Sequence, residues 1–371
     1  MIRHTHPTPT TQQSISNFLY PTDTLSLGKI PEPFLEFCRN SIEGVRGDPL
    51  YTESAGLPSV NGSEYDASDG SLLDLKVEGD HVISLDPVPS TRPVVAVDTS
   101  TIKLGELADG SLCAVRGAAV LLDDHRYRYV RYGPLVFSLG SNSPASFNGF
   151  ADLGLPPFSG EPNVDGLLKR IRNVLERWLQ FNMASYVKNG FILIDGSLTA
   201  GTPDNPSKEV ERILETARQN RSIVVAISKK TKLRINNQSI TNLLERKSDP
   251  CLLNVDDEVT DQFPPYPVRF LGRVFVAKLA RSGYSFRLDV DREVPLSETV
   301  HSLRELAGTD LVDQGYPETL RMAHILSTFT ASDVLAMQVF AAARFGVQLI
   351  PKLALRRSLF GPFGTAWEAY H

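Results

Sequence analysis

Apolar and polar positions run along this chain in two rhythms, and the switch between them marks its elements. From Arg92 the segment PVVAVDTST is a β-branched run of strand type. A second run, SLCAVRGAAVLLDD, follows the turn dipeptide Asp109-Gly110, which favours a hairpin. A third, RYRYVRYGPLVFSL, comes after the polar turn around Asp124. Three strands with short turns predict an antiparallel meander. Gly140–Asn163 has no periodicity and reads as a long functional or mobile loop. The rhythm then becomes helical from about Val164 to Lys188, with Leu167, Ile171, Val174, Leu175 and Trp178 on one face and Asn189-Gly190 as the stop. A buried strand FILIDGS, a helix SKEVERILETARQ and a buried strand SIVVAIS complete a β-β-β-α-β-α-β order. Hairpins followed by βαβ units predict an α/β fold with a ribonuclease-H-like mixed sheet flanked by helices.

On either side the pattern is weaker. Residues 1–90 are expected to form an N-terminal arm or cap, with a helix near Pro33–Glu43 and a disordered leader. Residues 91–371 hold the ribonuclease-H-like core and its C-terminal elaborations. After Ser228 come a basic stretch, KKTKLR, a helix, and a loop with Asp256–Asp261. Strands VRFLGRVFVAKLA and SFRLDV and helices from Ser297 to Phe345 follow.

Composition narrows the class. The chain has 371 residues, 42% hydrophobic and 22% charged, as an ordinary soluble protein has. No run approaches the roughly 18 apolar residues of a membrane span, and the N-terminus carries no signal-like apolar stretch. Cys38, Cys113 and Cys251 share no metal-type spacing, which suits a reducing cytoplasm. The net charge of −5 decides nothing about nucleic acid, because local charge governs phosphate binding.

Three acidic residues stand where such a fold gathers metal ligands. Asp98 and Asp195 are expected at the ends of the first and fourth strands, which are parallel neighbours, so both carboxylates emerge at one carboxyl edge. Glu176 lies on the helix between them, among Lys169, Arg170, Arg172 and Arg177. Converging carboxylates repel unless a cation joins them, and oxygen donors suit Mn²⁺ or Mg²⁺. Each residue alone has a plainer reading, turn chemistry for the aspartates and a solvated surface for the glutamate. Tyr316 precedes a C-terminal helix, and His324 sits two turns inside it. An imidazole there can ligate manganese, but spacing alone favours a histidine packed in a helix interface and a tyrosine covering an apolar edge.

VAVDTS (Val95–Ser100), the helix with Leu175-Glu176, LIDGSL (Leu193–Leu198), AISKK (Ala226–Lys230) and GYPETLRMAH (Gly315–His324) resemble, in order, the motifs of the NurA nucleases. The resemblance implies a manganese-dependent deoxyribonuclease, with Mg²⁺ as the alternative ion. It assigns Asp98, Glu176, Asp195 and His324 as metal ligands, Tyr316 as an active-site tyrosine, and Lys229 as a phosphate or transition-state contact. It also implies single-strand endonuclease and 5′-to-3′ exonuclease activities in DNA end processing, a homodimer around DNA, and a HerA-type hexameric ATPase as partner. The family usually carries Asp-Gly-Ser in its first motif; this chain has Asp98-Thr99-Ser100, which changes the expected backbone freedom there. Lys229, Lys230, Lys232 and Arg234 are the expected DNA track, and the alternating tyrosines and arginines of residues 126–132 offer a second. VDTSTIKLG also resembles the first phosphate loop of actin-like ATPases and sugar kinases, which share this strand order. A catalytically inactive scaffold is the third alternative.

Overall fold

The computed structural model describes residues 23–24, 28–53, 74–75, 82–140, 164–202, 205–235, 238–260 and 268–352. Its centre is a meander of three long strands, β1 (Val94–Glu106), β2 (Ser111–Asp123) and β3 (Arg126–Leu139). Helix α2 (Val164–Tyr186) leads to β4 (Phe191–Asp195), and helix α3 (Ser207–Gln219) to β5 (Ile223–Ser228). The sheet order is β3-β2-β1-β4-β5, antiparallel within the meander and parallel from β1 through β4 to β5. That is the ribonuclease-H-like arrangement the sequence predicts. The sheet then continues antiparallel through β8 (Phe286–Asp291), β7 (Gly272–Lys278) and β6 (Cys251–Asn254).

Both faces of the sheet are covered, so β2 is apolar almost throughout instead of alternating. On one face Val95, Val97, Ile192, Ile194, Val224 and Ala226 pack beneath α2, α3 and helix α1 (Glu32–Glu43). On the other, Val94, Ala96, Leu193 and Val225 pack beneath α4 (Leu296–Thr309) and α5 (Glu318–Ser327). A helix α6 (Ala331–Phe345) covers the far end of the meander through Val334, Met337 and Ala341. Helix α2 lies close because Gly117 of β2 has no side chain: a Cβ there would stand 2.5 Å from Leu179 Cδ1.

Several expectations need adjustment. Asp98 is not at a strand end; it is the fifth residue of a 13-residue strand. The pairing that ends beside it is the parallel ladder to β4, whose last pair is Val97 with Ile194. The helix expected after KKTKLR is a single 3-10 turn, Ile240–Leu244. Asp256 opens a short helix, Asp256–Thr260, and is held by Arg292 at 2.7 Å. The expected loop Gly140–Asn163 and the leader lie outside the described residues, except Gly140. From residues 1–90, Pro49–Glu53 and Val82–Ser84 join the main sheet, and α1 packs against the core. The stretch Glu318–Phe345 is apolar enough in composition to cross a membrane. It is nevertheless two helices of 10 and 15 residues, each shorter than the roughly 20 that a span needs.

Candidate metal centre

Asp98 and Asp195 follow directly on the last pair of the β1–β4 ladder, on the face covered by α5. Strand alternation places them there: Val97 and Ile194 point to the opposite face. Immediately after Asp195 the chain turns at Gly196, whose φ of 125° is readily adopted only by glycine. Gly196 N donates to Ile227 O at 3.0 Å, tying this turn to β5. Beneath it a buried ion pair closes the structure: Arg287 donates through Nε and Nη2 to Asp289, each at 2.8 Å, with both side chains essentially inaccessible. Arg287 also reaches Thr199 Oγ1, and Asp289 accepts from Leu198 N at 3.0 Å. The segment that follows Asp195 is thus anchored by charges the sequence reading did not single out.

Helix α5 brings the third group. His324 Nδ1 lies 3.0 Å from Asp98 Oδ2, and one ligand atom each from Asp98, Asp195 and His324 fall within 4.8 Å of one another. Ser327 Oγ donates to the same Asp98 oxygen at 2.6 Å. Burial pushes the Asp98 carboxyl up, but the His324 and Ser327 hydrogen bonds and the His324 and Lys229 charges bring it below its ordinary value. Asp195 is raised, first by burial and then by the Asp98 charge, against the opposing pull of Lys229. His324 is raised chiefly by its hydrogen bond to Asp98. A buried Asp98 and a half-buried Asp195 whose charge is still short of compensation, beside an imidazole, form a donor set that fits a hard divalent cation.

The other predicted residues fall around this cluster. Lys229 Nζ donates to Asp195 Oδ2 at 2.8 Å and lies 5.3 Å from the centre of the Tyr316 ring. That ring packs against Phe286 with centroids 5.5 Å apart. Glu176 is not in the cluster. It lies on α2, on the other face of the sheet, where Oε2 accepts from Thr99 Oγ1 at 3.1 Å and Oε1 from Gln180 Nε2 at 2.9 Å. It is close enough for the Asp98 charge to act on it, though burial is the main cause of its raised pKa. Thr99, standing where a glycine was expected, sits in extended β1 opposite Gly117 and shows no left-handed backbone.

Lys230, Lys232 and Arg234 are exposed, alternating with buried Leu233 and Ile235 just beyond β5. In the second basic stretch, Tyr127 bonds Asp310 through its hydroxyl, and Tyr132 packs edge-on against Trp178 with its hydroxyl on Gly28 O. Those two tyrosines serve packing, as alternation in a half-buried strand suggests. Ser100 and Ser327 were missed, although their spacing carried a signal. Ser100 follows Asp98 by two in a strand and Ser327 follows His324 by three in a helix, so each shares a face with a candidate ligand.

A model of the NurA domain matches residues 92–327 of the chain. Among solved structures, the NurA nuclease from Sulfolobus solfataricus is 15% identical, covering 72% of this chain and 87% of its own, with a TM-score of 0.43. A NurA structure with manganese is 10% identical, covering 84% and 97%, with a TM-score of 0.37. An endonuclease V from Streptomyces avermitilis is 15% identical, covering 78% and 99%, with a TM-score of 0.33. No curated protein matches the chain.

Proposed function

The chain belongs to the NurA family, whose domain spans residues 92–327, and we propose that it is a metal-dependent DNA nuclease working at Asp98, Asp195 and His324. One observation carries this reading: ligand atoms of those three side chains converge within 4.8 Å. Two carboxylates that close repel by about 3 kcal/mol or more at an effective dielectric constant near 20, and a shared cation removes that cost. Carboxylate oxygens with an imidazole suit Mn²⁺ or Mg²⁺, whereas Cys38, Cys113 and Cys251 are buried and contribute nothing to the cluster. Such an ion, when bound, activates water and stabilises the leaving oxygen of a phosphodiester.

The chain's own groups supply the rest. Asp98 and Asp195 would hold the ion, with His324 as the third ligand. Lys229, beside Asp195, offers an ammonium to a phosphate oxygen, and the Tyr316 ring borders it. Lys230, Lys232 and Arg234 extend this positive charge from the end of β5 and would follow a DNA backbone. By the same reading the protein is a homodimer that cuts single strands internally and degrades ends 5′ to 3′ beside a HerA-type hexameric ATPase. The phosphate-loop alternative loses its main feature, since Asp98, Thr99 and Ser100 continue an extended strand and the hairpin turns only after Glu106.

End-labelled single- and double-stranded DNA, incubated with the protein with and without Mn²⁺, tests the proposal. Cleavage that requires the ion and stops with a chelator supports it. DNA binding without metal-dependent cleavage refutes it in favour of a scaffold, and nucleotide binding without cleavage refutes it in favour of an ATPase.

A further inference from the structure

The Asp98 carboxylate is held asymmetrically. Its Oδ2 takes both His324 Nδ1 at 3.0 Å and Ser327 Oγ at 2.6 Å, while no hydrogen bond among the described residues reaches Oδ1. Ser327 is fully buried at the last residue of α5. Its hydroxyl has one proton and three acceptors in reach, Asp98 Oδ2 at 2.6 Å, His324 O at 3.0 Å and, more distant and uncharged, Ser100 Oγ at 3.2 Å. The second acceptor is already served: His324 O accepts from Thr328 N at 3.0 Å and Thr328 Oγ1 at 2.7 Å. The proton therefore goes to the carboxylate, at the 2.5–2.7 Å separation of a charge-assisted O–H···O⁻ bond. Ser100 Oγ, 3.2 Å from Ser327 Oγ, then donates into the hydroxyl that Ser327 has turned away from it. The result is a directed chain, Ser100 to Ser327 to Asp98, inside the protein.

We infer that Ser327, backed by Ser100, is a positioning residue for Asp98: it pins one carboxylate oxygen in the protein and leaves the other for a cation. The inference rests on the metal-centre reading above. A carboxylate turns easily about its last torsion, which has broad, roughly two-fold minima. One donor from a half-exposed imidazole leaves that rotation softer than two donors on the same oxygen. Partners behind a metal ligand commonly set affinity in this way, and their loss weakens metal binding about 10–100-fold.

The experiment is calorimetric titration of the full chain with Mn²⁺ alone, without DNA, on wild type, Ser327→Ala and Ser100→Ala, with melting temperatures measured without metal. Ser327→Ala should bind Mn²⁺ about tenfold more weakly, and Ser100→Ala should fall between it and wild type. If Ser327 only packs, Ser327→Ala melts lower and binds Mn²⁺ within about twofold of wild type, and the inference is overturned. Should Ser327→Ala fail to fold, Ser100→Ala decides: weakened binding supports the chain, and unchanged binding overturns it. A wild type that binds no Mn²⁺ overturns the metal centre itself, an outcome distinct from a wild type and variants that bind alike.

Discussion

Asp195→Asn keeps the shape of the side chain and removes its charge, so it separates a shared cation from mere proximity. Without metal, two effects oppose each other. The variant relieves a repulsion with Asp98 of about 3 kcal/mol at an effective dielectric constant near 20. It also deprives Lys229 of the carboxylate 2.8 Å away, although that lysine is 27% exposed and regains water. The metal-free stability should consequently change little. With metal the difference is large. A protein at a hundred times its dissociation constant gains about 2.7 kcal/mol from the ion, and a hundredfold loss of affinity reduces the gain to about 0.4 kcal/mol. Urea unfolding of wild type and variant, each with and without one fixed Mn²⁺ concentration, reads both numbers. DNA cleavage should disappear in the variant while the unfolding curve stays cooperative. An Asn variant that gains as much from Mn²⁺ as wild type, or cleaves at the wild-type rate, would refute the placement of Asp195 among the ligands.

Two further outcomes follow from buried charge elsewhere. Arg287→Met should cost about 3–5 kcal/mol in urea unfolding because it strands Asp289, and Arg287→Met with Asp289→Leu should recover much of that loss; equal stability for single mutant and wild type would show the pair is dispensable. Asp310, pushed up to about 6 chiefly by burial, binds a proton in the folded state at a pH where the unfolded chain has released it. Folding stability should therefore fall as pH rises from about 4 to 6, by up to about 3 kcal/mol from this group. Asp310→Asn should flatten that slope in unfolding curves taken across the window, and an unchanged slope would exclude Asp310 as its source.

How much of this was legible beforehand depended on whether the information was local. The β-β-β-α-β-α-β order was readable because burying a sheet on both faces demands near-continuous apolar strands, and burying one side of a helix demands a 3.6-residue repeat. The ranges of α3 and β5 follow almost directly from SKEVERILETARQ and SIVVAIS. The nearness of Asp98 and Asp195 was legible from the parallel pairing of their strands, although Asp98 lies inside β1, where that pairing stops, and not at its end. Local pattern is silent on which distant segments meet. Nothing in SFRLDV says that it pairs with β5 in antiparallel register, bringing Asp289 beneath Leu198. Nothing in the spacing of Tyr316 and His324 says that α5 lies across Asp98, 226 residues earlier. Glu176 shows the limit most clearly. Its place on a helix was readable from sequence, but which face of the sheet that helix covers is set by packing: Gly117 lets Leu179 close on β2, and Thr99 then meets the glutamate on the side away from Asp98 and Asp195. Hydrophobic period determines an element and its buried side, whereas the position of a charge relative to another charge is decided only when those sides are packed together.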